Sequence, residues 1–504
     1  HDGKSFVSRD VKTSYLLGYI LSWPLWNWLK LSDLSLPDDH SIEFRWRHAI
    51  GKRELIQILS YGEICYDRER FGVWNRKIEE LIAFDRAFWN DQRLELAKKG
   101  EGSEELAQHY EVVARRKKAI RDELFGTRPE LPIGTGPFRL KTVTSDVQRL
   151  VKFQDGWAAD DLAIDEVRII RVPDNRMAWA VLISGELDAS NAATPLDVTK
   201  RVMSLNEGMR LGTPSDMQEF GFIFNTKRKP TSDLAFRRAV AHVLDKETIT
   251  KVAYYYSTPL DGYSTGILAS YRKEWLDEGF LESLTDYQHS LEKAEALLSK
   301  AGYEKNSKGA WCYSNGEAIE LEINTVPNSD WVMASEVAAT ELSSFGIKAR
   351  VRADLPERAG MRMMNGDFHI MAENGSDFRR YALPEMSYRR FFSNGGLIAR
   401  ATGINEVIKE REGVDPATLV RKFDKALSER EQKPLIRRLA RFTNEYLPFL
   451  AIYEKRLMIF HIEGKRVEGW PSMDDPLWTA ASSGIESVFV SFMLDGRLKG
   501  VGER

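Results

Sequence analysis

The chain is 504 residues long, too long for one hydrophobic core, so two or three domains are expected. With 43% apolar and 29% charged residues it reads as an ordinary globular protein, and 72 basic against 75 acidic side chains leave a formal charge of -3, which gives no surface of the kind that nucleic acid demands. No apolar run approaches the roughly 20 residues that span a bilayer; the longest, such as Leu447 to Tyr453, suit buried strands.

Residues 1–131 are dominated by amphipathic and charged stretches. One strand is predicted at Ser41 to Arg47, where Ile42, Phe44 and Trp46 alternate with polar residues. From Trp74 to Phe125 the pattern is helical, with a break at Lys98 to Gly102 and Ser103 as N-cap; a solvated helical hairpin is the expectation. Leu140 to Pro173 reads as successive strands and turns. Gly134-Thr135-Gly136-Pro137 is a tight backbone crossing, because a dinucleotide cradle needs a third glycine and a following helix, whereas Phe138-Arg139-Leu140 continues into strand. A strand at Phe220 to Asn225 precedes helices from about Asp233 to Leu244 and from Asp245, the latter with Ile249 and Val252 on its inner face.

Ala318 to Asp377 gives the clearest signal. Ile319, Leu321 and Ile323 alternate, Trp331 to Phe345 has helical spacing, Ile347 to Val351 alternates again, Glu357 to Met364 suits a short helix, and Phe368 to Ala372 closes a third strand. This βαβαβ unit predicts a parallel sheet with a site outside the carboxyl ends of its strands. Three loops meet there: Pro327-Asn328-Ser329-Asp330-Trp331, Asp354-Leu355-Pro356, and Glu373-Asn374-Gly375-Ser376-Asp377. Trp331, opening a helix at that edge, is a candidate ligand contact; Trp157, Trp179, Trp275 and Trp478 have spacings that suit the core.

Few residues suggest covalent or metal chemistry. Gly262-Tyr263-Ser264-Thr265-Gly266 matches G-x-S-x-G, but Pro259, Asp261 and Gly262 spoil the strand that a nucleophile elbow requires, so Ser264 reads as a loop serine. The eight histidines contain no i,i+4 pair beside a glutamate, and Cys65 and Cys312 have no neighbouring ligands at metal spacing. No metal and no cofactor are expected. His369 sits on an apolar strand as a packed residue, and Asn225 reads as a turn former.

Several short motifs occur in a fixed order: Pro132-Ile133-Gly134-Thr135-Gly136-Pro137-Phe138, Gly185-Glu186-Leu187-Asp188, Asn225 to Pro230, Asp233-Leu234-Ala235-Phe236-Arg237-Arg238-Ala239, and Ala294 to Tyr303. Together they resemble the family 5 extracytoplasmic solute-binding proteins of peptide-type ABC importers, the dipeptide, oligopeptide and nickel binders, from the first residue to about Trp470. His1 to Val11 resembles a segment that lies well inside the mature relatives, so the chain is expected to lack the N-terminal part of its first lobe. The resemblance implies an α/β fold of the two-lobed periplasmic-binding type II class with an extra subdomain. Its expected divisions are an outer subdomain over 1–131 with a helical insertion at about 74–125, a discontinuous first lobe over 132–235 plus 455–504, and a second lobe over 236–454.

The resemblance also implies site residues. In peptide-binding relatives an aspartate in the strand-end loop receives the ligand's amino terminus. Asp377 or Glu373 would take that role here, although the relatives' tryptophan is missing and Pro384 sits further on. Asn374 shares the loop, and Arg379 or Arg380 could hold a carboxylate bidentately. Met217 and Gln218 stand where relatives place ligand-contacting backbone just before a strand, Tyr263 lies in a loop that faces the cleft, and Asn328 and Trp331 complete the edge. The implied function is capture of a peptide or peptide-like solute by hinge closure and delivery to a membrane ABC permease. Such a protein would work as a periplasmic or extracytoplasmic monomer, without enzymatic activity and without nucleic-acid partners. An oligosaccharide or opine-type ligand is the alternative on the same fold; a chemosensory receptor and a hydrolase acting through Ser264 are the other readings.

Overall fold

The computed structural model describes residues 3–21, 31–47, 49–50, 55, 71–89, 93, 104–127, 133–172, 175–378, 384–482 and 485–502. Cys65, the break at 98–102, Ser103 and the 379–383 segment with Arg379 and Arg380 lie outside them. The chain divides into two compact units, one of His1–Ser184, Ile462–Pro471 and Val490–Arg504, the other of Gly185–His461 and Ser472–Phe489.

The first unit opens with α1 (Ser8–Ile20), a hairpin of β1 (Leu31–Asp38) and β2 (Ser41–Trp46), then α2 (Asn75–Phe88) and α3 (Glu104–Gly126). The strand expected from Ile42, Phe44 and Trp46 is β2. The expected solvated hairpin is corrected, because α2 and α3 bury a shared face against α1. Leu16, Leu17 and Ile20 pack with Ile78, Leu81, Ile82, Ile120 and Leu124, at the three- and four-residue spacings that put side chains on one helix face. Asp85 lies inside this contact, 2% exposed. It accepts from Tyr19 Oη at 2.5 Å and Trp89 Nε1 at 2.9 Å, and meets His109 Nε2 at 2.7 Å. Burial pushes the Lys117 ammonium down to about 8, while its Nζ lies 3.6 Å over the Tyr19 ring. Beyond these helices come an antiparallel sheet of β3 (Phe138–Val143), β4 (Val147–Lys152) and β5 (Glu166–Ile170), and α4 (Asn175–Ser184). Trp157, expected in the core, is 71% exposed; its indole instead donates to the Thr135 carbonyl at 2.9 Å.

The second unit begins with β6 (Ala189–Ser190), α5 (Leu196–Leu205) and β7 (Met209–Gly212). Its main sheet uses β8 (Ser215–Phe224), β9 (Thr258–Pro259), β12 (Glu320–Thr325), β13 (Lys348–Ala353), β14 (Ile370–Asp377) and β15 (Phe449–Arg456), with β10 (Glu304–Lys305) and β11 (Trp311–Cys312) as a separate pair. The strand order is β13-β12-β14-β8-β15-β9. β12 runs parallel to β13 and β14, as the βαβαβ pattern predicts, with α10 (Ser329–Phe345) and α11 (Pro356–Asn365) between them. Each of these helices ends on a left-handed glycine, Gly346 at φ 102° and Gly366 at φ 68°, where a side chain would be strained. β8 is antiparallel to both β14 and β15 and carries an apolar side chain to each face: Phe220, Phe222 and Phe224 to one core, Ile223 to the other.

The Asp233–Ala239 motif has a structural explanation. Asp233 caps α6 (Leu234–Val243) by accepting from Ala235 N at 2.9 Å, and Asp245 caps α7 (Lys246–Ala253) in the same way. Arg237 is fully buried. Its guanidinium donates to the Tyr446 carbonyl from Nε and from a terminal nitrogen, at 3.1 and 2.8 Å. It thereby caps α13 (Glu429–Tyr446), whose last carbonyls have no helical partner. Asn225 is a structural turn former, with Nδ2 donating to the Gly366 and Phe368 carbonyls at 2.8 and 3.0 Å.

Replacing Asp85 with alanine should strand three buried donors. A loss of about 3 kcal/mol or more is expected in denaturant unfolding, whereas Glu80→Ala on the exposed face of α2 should change stability by less than about 0.5 kcal/mol.

Candidate functional site

The carboxyl ends of β12, β13 and β14 lie at one edge of the main sheet, and the antiparallel β8 begins there while β15 ends there. Two sequence expectations are corrected at this edge. Ser215 to Glu219, expected to precede a strand, and Glu373 to Asp377, expected as a loop, belong to β8 and β14. Each segment is too polar to look like a strand, but each finds strand partners: Glu373 and Asn374 lie opposite Gly221 and Phe220, Asp377 opposite Gln218, and Ser215 and Glu219 opposite Arg456 and Glu454 of β15.

Met217 is buried and holds φ at +52°, a left-handed backbone costing about 1–2 kcal/mol for a residue with a side chain. Its amide donates to Ser215 Oγ at 3.0 Å and its carbonyl accepts from Phe378 N at 2.8 Å. Gln218, 2% exposed, lies opposite Asp377. The Asp377 amide donates to Ser387 Oγ at 3.1 Å. Glu373 accepts from the Asn374 amide at 2.8 Å, and both residues are half-buried.

Sequence reasoning looked for a cation at Arg379, outside the described residues. The structure brings another, Arg390 of α12 (Pro384–Phe392). Its two terminal nitrogens lie 3.9 Å from Glu373 Oε1 and 3.8 Å from Asp377 Oδ2, so one half-buried guanidinium faces two half-buried carboxylates. Helical spacing from Pro384 could have suggested it; proximity to Asp377 in the sequence could not.

Trp331 is buried, 7% exposed, with its ring 5.5 Å from Phe220. It is a wall of the core. The preceding residue, Asp330, stands instead at the edge, with Oδ2 3.9 Å from Lys455 Nζ; burial raises the Asp330 carboxyl above its ordinary value and Lys455 opposes that rise. Lys455 lies 5.5 Å over the Tyr254 ring. Tyr254 stacks on Tyr453 at 5.7 Å and lies 4.3 Å from Tyr256, giving an aromatic group whose only sequence signal is the Tyr254-Tyr255-Tyr256 run. Asn328 is exposed at the start of α10, its side chain not capping the helix. Asp354 is held by Arg362 at 2.7 Å, Arg352 at 3.1 Å and Arg358 at 3.5 Å.

Tyr263 is half-buried, its carbonyl accepting from Arg272 at 3.2 Å. Next to it Ser264 is 1% exposed and accepts from Ala451 N at 3.2 Å. The short β9 ends before Leu260 and a single 3-10 turn follows at Ala269–Tyr271, so the strand and helix of a nucleophile elbow are missing. Glu219, which sequence reasoning did not single out, is 1% exposed, and its Oε2 accepts from Ser376 Oγ at 2.6 Å. Among the described residues no group of three or more His, Cys, Asp or Glu is placed to hold a metal, and no helix is long and apolar enough to cross a membrane.

The model of bacterial extracellular solute-binding proteins, family 5 (middle region), matches residues 1–397. The dipeptide-binding protein of Escherichia coli K12 is 26% identical over 221 residues, 44% of this chain and 38% of that protein, so the chain matches well under half of that relative's length. Among solved structures, the periplasmic oligopeptide-binding protein of Thermotoga maritima superposes with a TM-score of 0.71 at 18% identity, over 99% of this chain and 85% of that one. Its mannohexaose-bound form gives a TM-score of 0.68 at 17% identity, over 100% and 86%. At these identities the likeness shows the fold, the two-lobed α/β class expected from the motifs.

Ser264→Ala should leave the Ala451 amide unpaired and cost about 1–2 kcal/mol in thermal unfolding. Neither the wild type nor the variant should hydrolyse p-nitrophenyl acetate above the buffer rate, and burst release of nitrophenol would contradict the structural role.

Proposed function

The chain belongs to the family 5 bacterial extracellular solute-binding proteins, a family of binders rather than enzymes, and from that premise we propose that it captures a peptide or peptide-like solute outside the cytoplasm and hands it to a membrane ABC permease, working as a monomer. The observation that carries the reading is the arrangement of Glu373, Asp377 and Arg390 at the strand end. Two carboxylates and one guanidinium, half-buried together, offer complementary charge to a zwitterion. A ligand ammonium would lie between the acids and a ligand carboxylate would take the planar guanidinium. The names of the dipeptide-binding and oligopeptide-binding relatives agree with this choice. Met217 and Gln218 would support Asp377 through the paired strand, with Asn374, Asn328 and Tyr263 as the outer contacts. Trp331 would act from inside the core and Arg379 from the segment beyond Phe378.

One observation favours a second reading. The half-buried Tyr254-Tyr255-Tyr256 group offers aromatic faces of the kind sugars stack upon, and the Thermotoga maritima relative was crystallised with mannohexaose.

Native mass spectrometry of the protein purified without denaturation should release peptide masses. Calorimetry with trialanine then tests the site: Asp377→Asn should weaken binding at least about 10-fold, near 1.4 kcal/mol, and N-acetylation of the peptide should weaken the wild type and leave the variant unaffected. Release of hexose oligomers, with Asp377→Asn binding mannohexaose as the wild type does, would replace the peptide reading by the sugar one.

A further inference from the structure

β14 and β8 pair residue for residue from Ile370 opposite Phe224 to Asn374 opposite Phe220, and the register then jumps to Asp377 opposite Gln218. Gly375 and Ser376 therefore share one partner, Glu219. This is a β-bulge, the device that bends a strand and re-aims the side chain beyond it. The bulge is closely packed, since a Cβ on Gly375 would fall 2.3 Å from the Phe449 ring.

Glu219 is joined to the bulge by a single bond, Ser376 Oγ to Oε2 at 2.6 Å. Its Oε1 is buried with no hydrogen-bond partner among the described residues. The charged and titratable groups around it come from four elements. Glu454 of β15 stands directly opposite and is taken up by Ser215 Oγ, Ser270 Oγ and Ser270 N at 2.9, 2.7 and 3.0 Å. Arg272 of the short helix α8 (Arg272–Trp275) is paired with Asp261 at 2.6 Å. Lys246 of α7 donates to the Asp261 carbonyl at 2.6 Å. Tyr388 of α12 donates to the Thr265 carbonyl at 2.9 Å. Lys246 is engaged elsewhere, Arg272 is paired with Asp261 while its Nε is buried without a hydrogen-bond partner among the described residues, and the residue opposite Glu219 on β15 is another acid. A buried carboxylate so placed is costly, and burial pushes the Glu219 carboxyl up to about 7.

We infer that Glu219 is a positioning residue that couples a proton to the ligand-facing strand end. Protonated, it is neutral and can donate to Ser376, holding the bulge against β8 with Asp377 in place. Ionised, it keeps the Ser376 bond but becomes a buried anion with that one donor, a cost that is relieved when the bulge opens and admits water. The sign follows from linkage: a carboxyl whose folded value is raised stabilises the bulge as folded below its ordinary range, and that contribution is lost as pH rises through about 7. The consequence for ligand retention, tighter on the acid side, rests on the peptide reading given above.

Hydrogen exchange of the Asn374–Phe378 amides in the full chain, corrected for intrinsic rates, tests the latch without any ligand. In the wild type protection should fall at least about 10-fold between pH 5.5 and pH 8.5, and Glu219→Gln, neutral throughout, should keep the acid-side protection at both. Ser376→Ala removes the one bond that favours the anion, so it should move the midpoint of the wild-type change to higher pH. An equal fall in Glu219→Gln, a flat wild type, or an unmoved midpoint in Ser376→Ala would overturn the inference. Calorimetry with trialanine across the same range separates the two readings: if it binds at no pH, the peptide reading fails while the exchange data still decide the latch. If it binds with a pH dependence that Glu219→Gln retains, the proton coupling fails and the peptide reading stands.

Discussion

Everything in the second unit hangs on β8 being paired along both edges and covered on both faces. A strand in that position has no solvent to fall back on, so its backbone groups must find partners in β14, in β15 or in a nearby side chain, as the Met217 amide does in Ser215. Gly221 shows how closely the neighbours approach, because a Cβ there would sit 2.0 Å from the Leu450 carbonyl oxygen. Over Phe220 to Phe224 the side chains are apolar and the two cores take them. Over Ser215 to Glu219 all but Met217 are polar, and two of the polar groups bond to neighbouring strands: Ser215 to Glu454 and Glu219 to Ser376. The sheet therefore does not end where its hydrophobic residues end. Its last rungs are polar, buried, and placed where the strand ends meet.

This also explains what the sequence could and could not disclose. Alternation at Leu321 and Ile323 and helical spacing after Trp331 identify β12 and α10, because apolar periodicity reports a buried face directly. Asp233 and Asp245 read as helix starts for the same local reason, a side-chain oxygen within reach of the first helical amides. The Glu373–Asp377 segment carries no such signal. Asn-Gly-Ser-Asp is turn chemistry by composition, and only the demand of β8 for a partner makes it a strand, with the bulge absorbing the mismatch. Trp331 shows the same kind of non-local effect: its place at a helix start suggests a rim, while Phe220 offers it an apolar wall. Arg390 illustrates a third case, in which a helix returns a cation to acids more than ten residues before it in the chain, a closeness that spacing along the sequence does not encode.

The acids at this edge are held in two different ways, and the difference bears on function. Asp354 lies within 3.5 Å of three guanidinium groups, an arrangement that fixes the start of α11 and leaves a ligand little to gain there. Glu373 and Asp377 each meet Arg390 at 3.8 to 3.9 Å, a charge contact longer than a hydrogen bond. At an effective dielectric near 20 each such pair still attracts by about 4 kcal/mol before the cost of desolvation, and partly exposed pairs retain on the order of 1 kcal/mol or less. In the peptide reading proposed above, a ligand with charged ends would add its own charged contacts to this trio. Met217 belongs to the same economy of strain. Its left-handed backbone is held by the Ser215 hydroxyl on one side and by the Phe378 amide on the other, and strained residues persist where surrounding contacts over-determine them. Because the Phe378 amide is the first after Asp377, the bond that holds the strain also fixes the direction in which Asp377 leaves the sheet. A rigid strand and a bulge thus form one mechanical unit with Asp377, in which the backbone sets where the carboxylate stands.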